Sequence, residues 1–245
     1  MIKESNYMNG RENLLWASIF LLLLMSISDS GYSEFCALWT LQILIMGNVR
    51  RIRSQKYRAS SLLIRRSFYI LPMLVPLAIG KYPETYFEYW TIWSGVGIII
   101  GLAFILPKLK EWKVILSADF IALSPVKERI DLWSTIILLI AAPVAEEYFF
   151  RFVMITVGEL YVINLFLGAF LFFLSHYGTQ WSNRFSSYDF IIQILFGLTS
   201  GELFILSHSL LPSILAHLVY NSPRIILNLR YIHIFSVNVD RKELL

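Results

Sequence analysis

The chain has 245 residues, of which 57% are hydrophobic and 16% are charged, and its net charge is +4. Soluble globular chains carry about 25% charged residues, so this composition excludes an ordinary soluble enzyme. The apolar content also excludes a disordered chain, and the mean hydropathy of +0.62 favours a polytopic membrane protein. Because the apolar runs are continuous and do not alternate, they predict an all-α bundle of transmembrane helices.

About eight membrane spans are predicted, since an apolar run of about 17–25 residues in hydrocarbon must form a helix that satisfies its own backbone hydrogen bonds. The spans are roughly 13–28, 33–46, 62–79, 87–106, 132–155, 160–177, 190–206 and 210–229. The second and third runs are short and have polar edges. The first follows Lys3 and Arg11 as a signal peptide would, but no small-residue cleavage site comes after it, so we expect a retained helix.

The basic residues predict how these spans are oriented. Nineteen of the 21 lysines and arginines lie on one predicted side, in the two terminal segments, in alternate loops and at the adjoining ends of spans, whereas Lys81 lies in an opposite loop and Arg151 lies inside a span. Cytoplasmic segments carry the excess of basic residues, so both termini are predicted to be cytoplasmic. The charges therefore indicate contact with membrane lipid and no nucleic-acid partner. Frequent Ile with little Ala is typical of AT-rich bacteria, which favours a multi-pass protein of the bacterial plasma membrane.

We expect one structural unit with three parts. Residues 1–130 hold N-terminal transmembrane helices and basic cytoplasmic loops, residues 131–230 hold a core of helices that carries the polar motifs, and residues 231–245 form a short cytoplasmic tail. The stretch 107–131 mixes charged and apolar residues, which is typical of an amphipathic segment at the inner interface. The single cysteine, Cys36, has no nearby His or Asn in the sequence, which disfavours a thiolate mechanism.

The fifth span contains charged residues, which cost at least about 2.5–3.5 kcal/mol in mid-bilayer and therefore usually have a function or a partner. Glu147 and Arg151 are four residues apart and share a helix face, so Arg151 can neutralise Glu147. Glu146 lies about 140° from Arg151 around the helix axis and has no local partner. Glu146 is therefore a candidate general base in a wet cavity, although a structural ion pair beside a second acid that is protonated or snorkels to the interface is an alternative.

Two later spans carry histidines. His176 ends the sixth span, and His217 and Asn221 share a face of the eighth because they are four residues apart. Taken singly, each can be interfacial or can hydrogen-bond to a neighbouring helix. Pro143, three residues before Glu146, is expected to loosen its helix and free a carbonyl near the acids. The spacing Gly197-x-x-x-Gly201 in the seventh span predicts close helix packing.

Together these residues can catalyse a hydrolysis. An acid, two histidines and an asparagine on three helices supply a base that activates water and donors that stabilise an oxyanion. Two histidines and a carboxylate also suit zinc hydrolysis. Their spacing differs from the His-Glu-x-x-His of soluble zinc proteases, so the sequence allows a metal without requiring one.

The motifs resemble those of the CPBP family, also called Abi, which comprises CAAX proteases and bacteriocin-processing enzymes. That family is marked by Glu-Glu-x-x-x-Arg, Phe-x-x-x-His and His-x-x-x-Asn, in this order. The corresponding residues here are Glu146-Glu147…Arg151, Phe172…His176 and His217…Asn221. The resemblance covers about residues 130–225.

This resemblance implies an intramembrane endopeptidase of the glutamate type, from a family formerly classed as metalloproteases. In related enzymes the first acid and the first histidine activate water, which assigns these roles to Glu146 and His176. The second histidine and the asparagine stabilise the oxyanion, which assigns His217 and Asn221. The helix spacing assigns Glu147 and Arg151 a structural role that supports the site. No cofactor is then required, with zinc as the alternative.

The expected substrate is a peptide or a membrane-tethered protein, as in bacteriocin, pheromone or CAAX-like processing. Two other interpretations remain open. In a non-catalytic bacteriocin-immunity or scaffold protein of the same family, the polar residues would be dispensable. In a small transporter, Glu146 and His217 would relay protons, but the sequence has no internal repeat.

Overall fold

The computed structural model describes residues 5–243, apart from positions 50, 51, 53, 55, 84–87, 126 and 178–186. Within these residues the chain is helical and contains no β-strand. The α-helices are α1 (Ser5–Met25), α2 (Gly31–Asn48), α3 (Arg58–Ala78), α4 (Trp90–Ile105), α5 (Leu109–Ile115), α6 (Ala118–Leu123), α7 (Arg129–Glu147), α8 (Tyr161–Tyr177), α9 (Ser187–Ser207) and α10 (Leu210–Glu243). The all-α class predicted from the sequence is confirmed.

Each predicted span coincides with a helix, but the number of membrane crossings is not confirmed. In the described part of the chain, three segments are long and apolar enough to cross a membrane: Arg58–Ala78, Trp90–Ile115 and Tyr188–Ser207. The apolar helices Glu12–Met25 and Tyr161–His176 are shorter, and α7 ends in two acids. The predicted start of the fourth span, Phe87, lies outside the described residues, as do Lys3, Arg184 and part of the second basic loop.

The stretch predicted as amphipathic forms three short helical pieces. A 3-10 turn over Leu106–Lys108 extends α4, and α5 and α6 follow it. The Ser117 side chain caps α6 by accepting a hydrogen bond from the backbone N–H of Phe120 at 3.3 Å. On α6, Ile121 is fully buried in a small cluster with Leu132 and Tyr231. This cluster joins the stretch to α7 and to the continuation of α10 beyond residue 229, where the predicted span ends.

The core contains many aromatic side chains. Phe35 of α2 stacks on Phe149 with 4.5 Å between ring centroids, and the rings of Phe150 and Phe172 meet edge to face at 5.5 Å. Lipid tails are as apolar as these rings, so in a bilayer such contacts act by close packing and not by excluding water. The core therefore joins the N-terminal helices to α7, α8 and α9.

Two pairs of glycines let helices approach closely. A Cβ atom added at Gly97 or Gly101 of α4 would lie 2.3 or 2.5 Å from a backbone oxygen of α10. On α9, a Cβ at Gly197 would lie 3.0 Å from the Cβ of Ala169, and one at Gly201 would lie 2.2 Å from Leu165 Cδ1. The packing role predicted for Gly197 and Gly201 is confirmed, whereas the role of the α4 pair was not predicted.

Candidate active site

Pro143 changes the hydrogen bonding of α7 one turn before the two acids. Proline has no N–H, so the carbonyl of Leu139, four residues earlier, loses its helical partner. The Asn221 side chain of α10 donates to this carbonyl from Nδ2 at 3.3 Å. The freed carbonyl expected from the sequence is therefore that of Leu139, and Asn221 ties α10 to α7 at this point.

A π-helix follows directly after the acids. Residues Tyr148–Val153 form it, whereas the sequence predicted one continuous span over 132–155. In a π-helix each N–H bonds to the carbonyl five residues earlier, and such turns occur frequently at functional sites. Arg151 lies within this turn, so its side chain leaves the helix from a locally widened backbone. The hydrophobic pattern of the sequence carries no signal for such a turn.

Glu147 is the centre of a fully buried polar network. Its Oε2 lies 3.0 Å from Arg151 Nε, although this contact lacks hydrogen-bond alignment, and its Oε1 lies 3.5 Å from Arg151 Nη2. His217 Nδ1 lies 2.8 Å from Oε1, and the Ser200 hydroxyl donates to Oε2. The guanidinium carbon of Arg151 also lies 4.8 Å from the centre of the Phe172 ring. The expected Glu147–Arg151 pair is present, and two further helices contribute to it.

Glu146 has different neighbours. Its Oε1 accepts a hydrogen bond from the Tyr69 hydroxyl of α3 and lies 3.8 Å from His176 Nε2. Its Oε2 lies 3.6 Å from His217 Nε2. As predicted, Glu146 has no partner in its local sequence. Its hydrogen-bond donor comes from another helix. Both histidine contacts exceed direct hydrogen-bond distance, and at such separations a water molecule can bridge the groups.

The orientations of the two histidine rings follow from their other nitrogen atoms. His176 Nδ1 lies 3.0 Å from the carbonyl oxygen of Phe172, and His217 Nδ1 lies 2.8 Å from the Glu147 carboxylate. A carbonyl and an ionised carboxylate only accept hydrogen bonds, so in each ring Nδ1 is the donor. Both rings therefore turn Nε2 towards Glu146.

One cavity of about 230 Å³ brings the predicted residues together. Glu146, His176, His217 and Asn221 all line it, whereas Glu147 and Arg151 do not. Its other walls come from both halves of the chain: Tyr69, Phe104, Lys108, Trp112, Leu138, Leu139, Ala142, Phe172, Tyr188, Asp189, Ile192, Gln193, Phe196, Tyr220 and Arg224. The first acid, Glu146, therefore faces the cavity, whereas the second acid, Glu147, does not line it.

Charged residues line one end of this cavity. Lys108 Nζ lies 3.0 Å from Asp189 Oδ1 and 4.5 Å from the centre of the Tyr188 ring. Arg224 also lines the cavity. Lys108 follows α4, and Tyr188 and Asp189 begin α9. Lys108 and Asp189 belong to segments that the basic residues predict to be cytoplasmic.

The fit of a metal can be judged from the donor groups. Among the described residues, no group of three or more His, Cys, Asp or Glu side chains is placed to hold a metal ion. The zinc alternative therefore gains no support from the placement of these side chains.

Sequence reasoning missed two contributors to the site. Tyr69 lies 77 positions before Glu146, and nothing in the local pattern of α3 relates them. Ser200 was seen as part of a small-residue packing motif, yet its hydroxyl donates to Glu147 and its carbonyl accepts from Ser213 at 2.7 Å. A buried acid demands donors, but the sequence does not say which helix supplies them.

The chain was compared with known proteins. Residues 128–223 match the family model described as type II CAAX prenyl endopeptidase, Rce1-like. No curated protein matches the chain, and no solved structure does. The matched segment contains all three motifs and the four predicted catalytic residues that line the cavity: Glu146, His176, His217 and Asn221. Residues 128–223 of this chain are therefore similar to the Rce1-like type II CAAX prenyl endopeptidases, which are part of the CPBP family.

Proposed function

We propose that this chain is an intramembrane endopeptidase that hydrolyses a peptide bond through a water molecule activated by Glu146 and His176. The observation that carries the proposal is the shared cavity, because Glu146, His176, His217 and Asn221 come from three helices and line one space of about 230 Å³. Nearby Glu147 and Arg151 do not line it. The family match of residues 128–223 supports the protease class.

Water activation follows from two acceptors that face each other. Glu146 Oε1 and His176 Nε2 are 3.8 Å apart, and the His176 ring proton is on Nδ1. A water molecule between them can donate one hydrogen to each. On attack, the water oxygen bonds to the substrate carbonyl carbon and its proton passes to Glu146, which is then the general base.

The oxyanion that forms in this step requires donors. His217 Nε2 faces the same carboxylate at 3.6 Å, and Asn221 lines the cavity with an amide that has two N–H groups. One N–H of Asn221 is used by Leu139, and we assign the second to the substrate oxygen. His217 donates from Nε2 when its ring carries both protons. Glu146 then passes its proton to the leaving nitrogen as the C–N bond breaks.

Glu147 and Arg151 have a structural role in this proposal. Glu147 accepts from His217 Nδ1 and so fixes the direction of the ring, and Arg151 neutralises Glu147. In many hydrolases a carboxylate orients a catalytic imidazole by accepting a hydrogen bond from its second nitrogen. The two acids therefore act on opposite sides of His217.

The proposed substrate is a membrane-associated or peptide substrate, of the bacteriocin, pheromone or CAAX type. We place the protein in a bacterial plasma membrane with both termini cytoplasmic, and we propose no nucleic-acid partner and no required metal. Reporter fusions after Lys81 should report the outside, and fusions after Lys113 and at the C-terminus should report the inside. A C-terminus on the outside would contradict this topology.

A panel of internally quenched peptides tests the activity. Peptides with prenylated and unprenylated Cys-aliphatic-aliphatic-X ends, together with leader peptides, are offered to the detergent-purified protein. We expect cleavage of at least one peptide and no stoichiometric zinc by elemental analysis. One zinc per chain that is lost together with activity on His176→Ala would overturn the metal-free mechanism. A complete absence of cleavage would favour the immunity or scaffold role.

A further inference from the structure

Tyr69 lies outside the matched segment and contacts the proposed general base. Among the described hydrogen bonds, it is the one such residue that bonds to Glu146. It belongs to α3 and is 8% exposed, and its hydroxyl donates to Glu146 Oε1. It also lines the cavity that holds the two histidines. The hydroxyl thus lies inside the candidate active site and does not belong to the three family motifs.

The contact acts on the oxygen atom that matters for water activation. Glu146 Oε1 is the atom that lies 3.8 Å from His176 Nε2, while Oε2 lies 3.6 Å from His217 Nε2. A carboxylate on a flexible Glu side chain rotates about its terminal torsion. A donor on Oε1 opposes this rotation, and the second lone pair of Oε1 remains for a water molecule.

Tyr69 is itself held in place by the neighbouring helix. Gln42 of α2 is buried and donates from Nε2 to the Tyr69 carbonyl oxygen at 2.8 Å. Trp39, one turn earlier on α2, donates to the Ser175 hydroxyl at 3.0 Å, next to His176. The same helix therefore contacts the backbone of Tyr69 and the side chain of the residue that precedes His176.

We propose that Tyr69 is a positioning residue that fixes Glu146 Oε1 opposite His176 Nε2, so that one water molecule contacts both acceptors. This inference rests on the proposed function. A hydrogen bond of this kind costs no reorganisation when the reaction begins, and loss of such positioning slows reactions by up to about 100-fold. The N-terminal helices would then take part in the reaction through a single hydroxyl group.

The test compares Tyr69→Phe with two other variants on the first peptide that the wild-type protein cleaves in the quenched panel. Tyr69→Phe should lower kcat by about 10- to 100-fold with KM within about threefold, since a positioning group acts on the chemical step. Tyr32→Phe is the matched control: Tyr32 is also buried and donates to Asn164 Oδ1 at 2.7 Å, but it does not line the cavity. It should keep kcat near wild type.

A second replacement keeps the test decisive if Tyr69→Phe folds poorly. p-Aminophenylalanine at position 69, introduced by amber suppression, keeps the ring and a para donor, and it should restore most of kcat. A Tyr69→Phe protein with wild-type kcat would overturn the positioning role while leaving the protease proposal intact. A fall in kcat that only follows the loss of folded protein, with the same fall in Tyr32→Phe, would also overturn it.

The Glu146→Gln variant separates the two proposals. If Tyr69 acts through Glu146, adding Tyr69→Phe to Glu146→Gln should leave the residual rate unchanged, because the two effects are not additive. A fully active Glu146→Gln protein would overturn both proposals. If the wild-type protein cleaves no peptide, the proposed function fails and the positioning role fails with it.

Discussion

The matched segment 128–223 carries the family motifs and most of the cavity wall, whereas the N-terminal helices carry no motif but still line part of the cavity. The matched segment supplies Glu146, His176, His217 and Asn221, whereas the first four helices carry no family motif. Yet Tyr69 of α3 and Phe104 of α4 are part of the same cavity wall. The motif residues thus identify the candidate catalytic groups but account for only part of the cavity wall.

The difference has a physical origin. A polar group buried among apolar helices needs partners, and the helices that supply them differ from acid to acid. Glu147 takes its partners from α9, α10 and the π-helix within the matched segment. Glu146 takes its hydrogen-bond donor from α3, outside that segment. The four variants below test this division, in order of decreasing expected effect.

The first prediction concerns the two acids. Glu146→Gln keeps the size of the side chain but removes the base, so cleavage should fall by about 10²- to 10⁴-fold. Melting temperature in detergent should stay near the wild-type value. The matched control is Glu202→Gln, on an exposed position of α9, which should cleave normally. A folded but inactive Glu147→Gln together with an active Glu146→Gln would show that the two acids have the opposite roles.

The second prediction concerns the buried ion pair. Arg151→Ala leaves Glu147 as a buried acid without its cation, since both side chains are at most 1% exposed. Breaking one side of such a pair costs about 3–5 kcal/mol, so we expect little folded protein. Yield of monodisperse protein after size exclusion measures this. Wild-type yield and melting temperature would contradict a structural role for the pair.

The third prediction concerns the contact between the two regions. A Cβ at Gly101 of α4 would lie 2.5 Å from the Ala216 carbonyl oxygen and 2.7 Å from Val219 Cβ of α10. Gly101→Ala should therefore destabilise the protein by about 1–3 kcal/mol through overpacking. Gly95→Ala is the control on the same helix, because nothing lies within 4 Å of an added Cβ there. Equal melting temperatures of the two variants would show that α4 and α10 are not closely packed.

The smallest effect is expected at an exposed ion cluster that also joins the two regions. Arg58 of α3 pairs with Glu128 and, at 2.7 Å, with Asp131 of α7, and the arginine side chain is 54% exposed. Water screens such pairs, so Arg58→Ala should change stability by about 0–1 kcal/mol. Thermal melting at low and high salt measures it. A loss as large as that of Arg151→Ala would mean that this surface pair is essential to the packing.

Much of the architecture could be predicted from local patterns. Apolar runs predict the helices, because the length of a run is a property of one continuous segment. Each predicted span coincides with a helix. The i, i+4 spacing gives the Glu147–Arg151 pair. Pro143 gives the free carbonyl of its helix, since the missing N–H is a property of proline itself. The number of membrane crossings is not confirmed, because only three of the described segments are long and apolar enough to cross a membrane.

The sequence by itself determined the helical class, the polar motifs and the separation of the two acids around their helix, since each depends on residues within a few turns of one another. Tertiary structure alone decided that Tyr69 donates to Glu146, that Asn221 takes the Leu139 carbonyl, and that His217 lies between both acids. These contacts join residues 70 to 82 positions apart. Their partners are set by how the helices pack and rotate against each other, which no local pattern encodes.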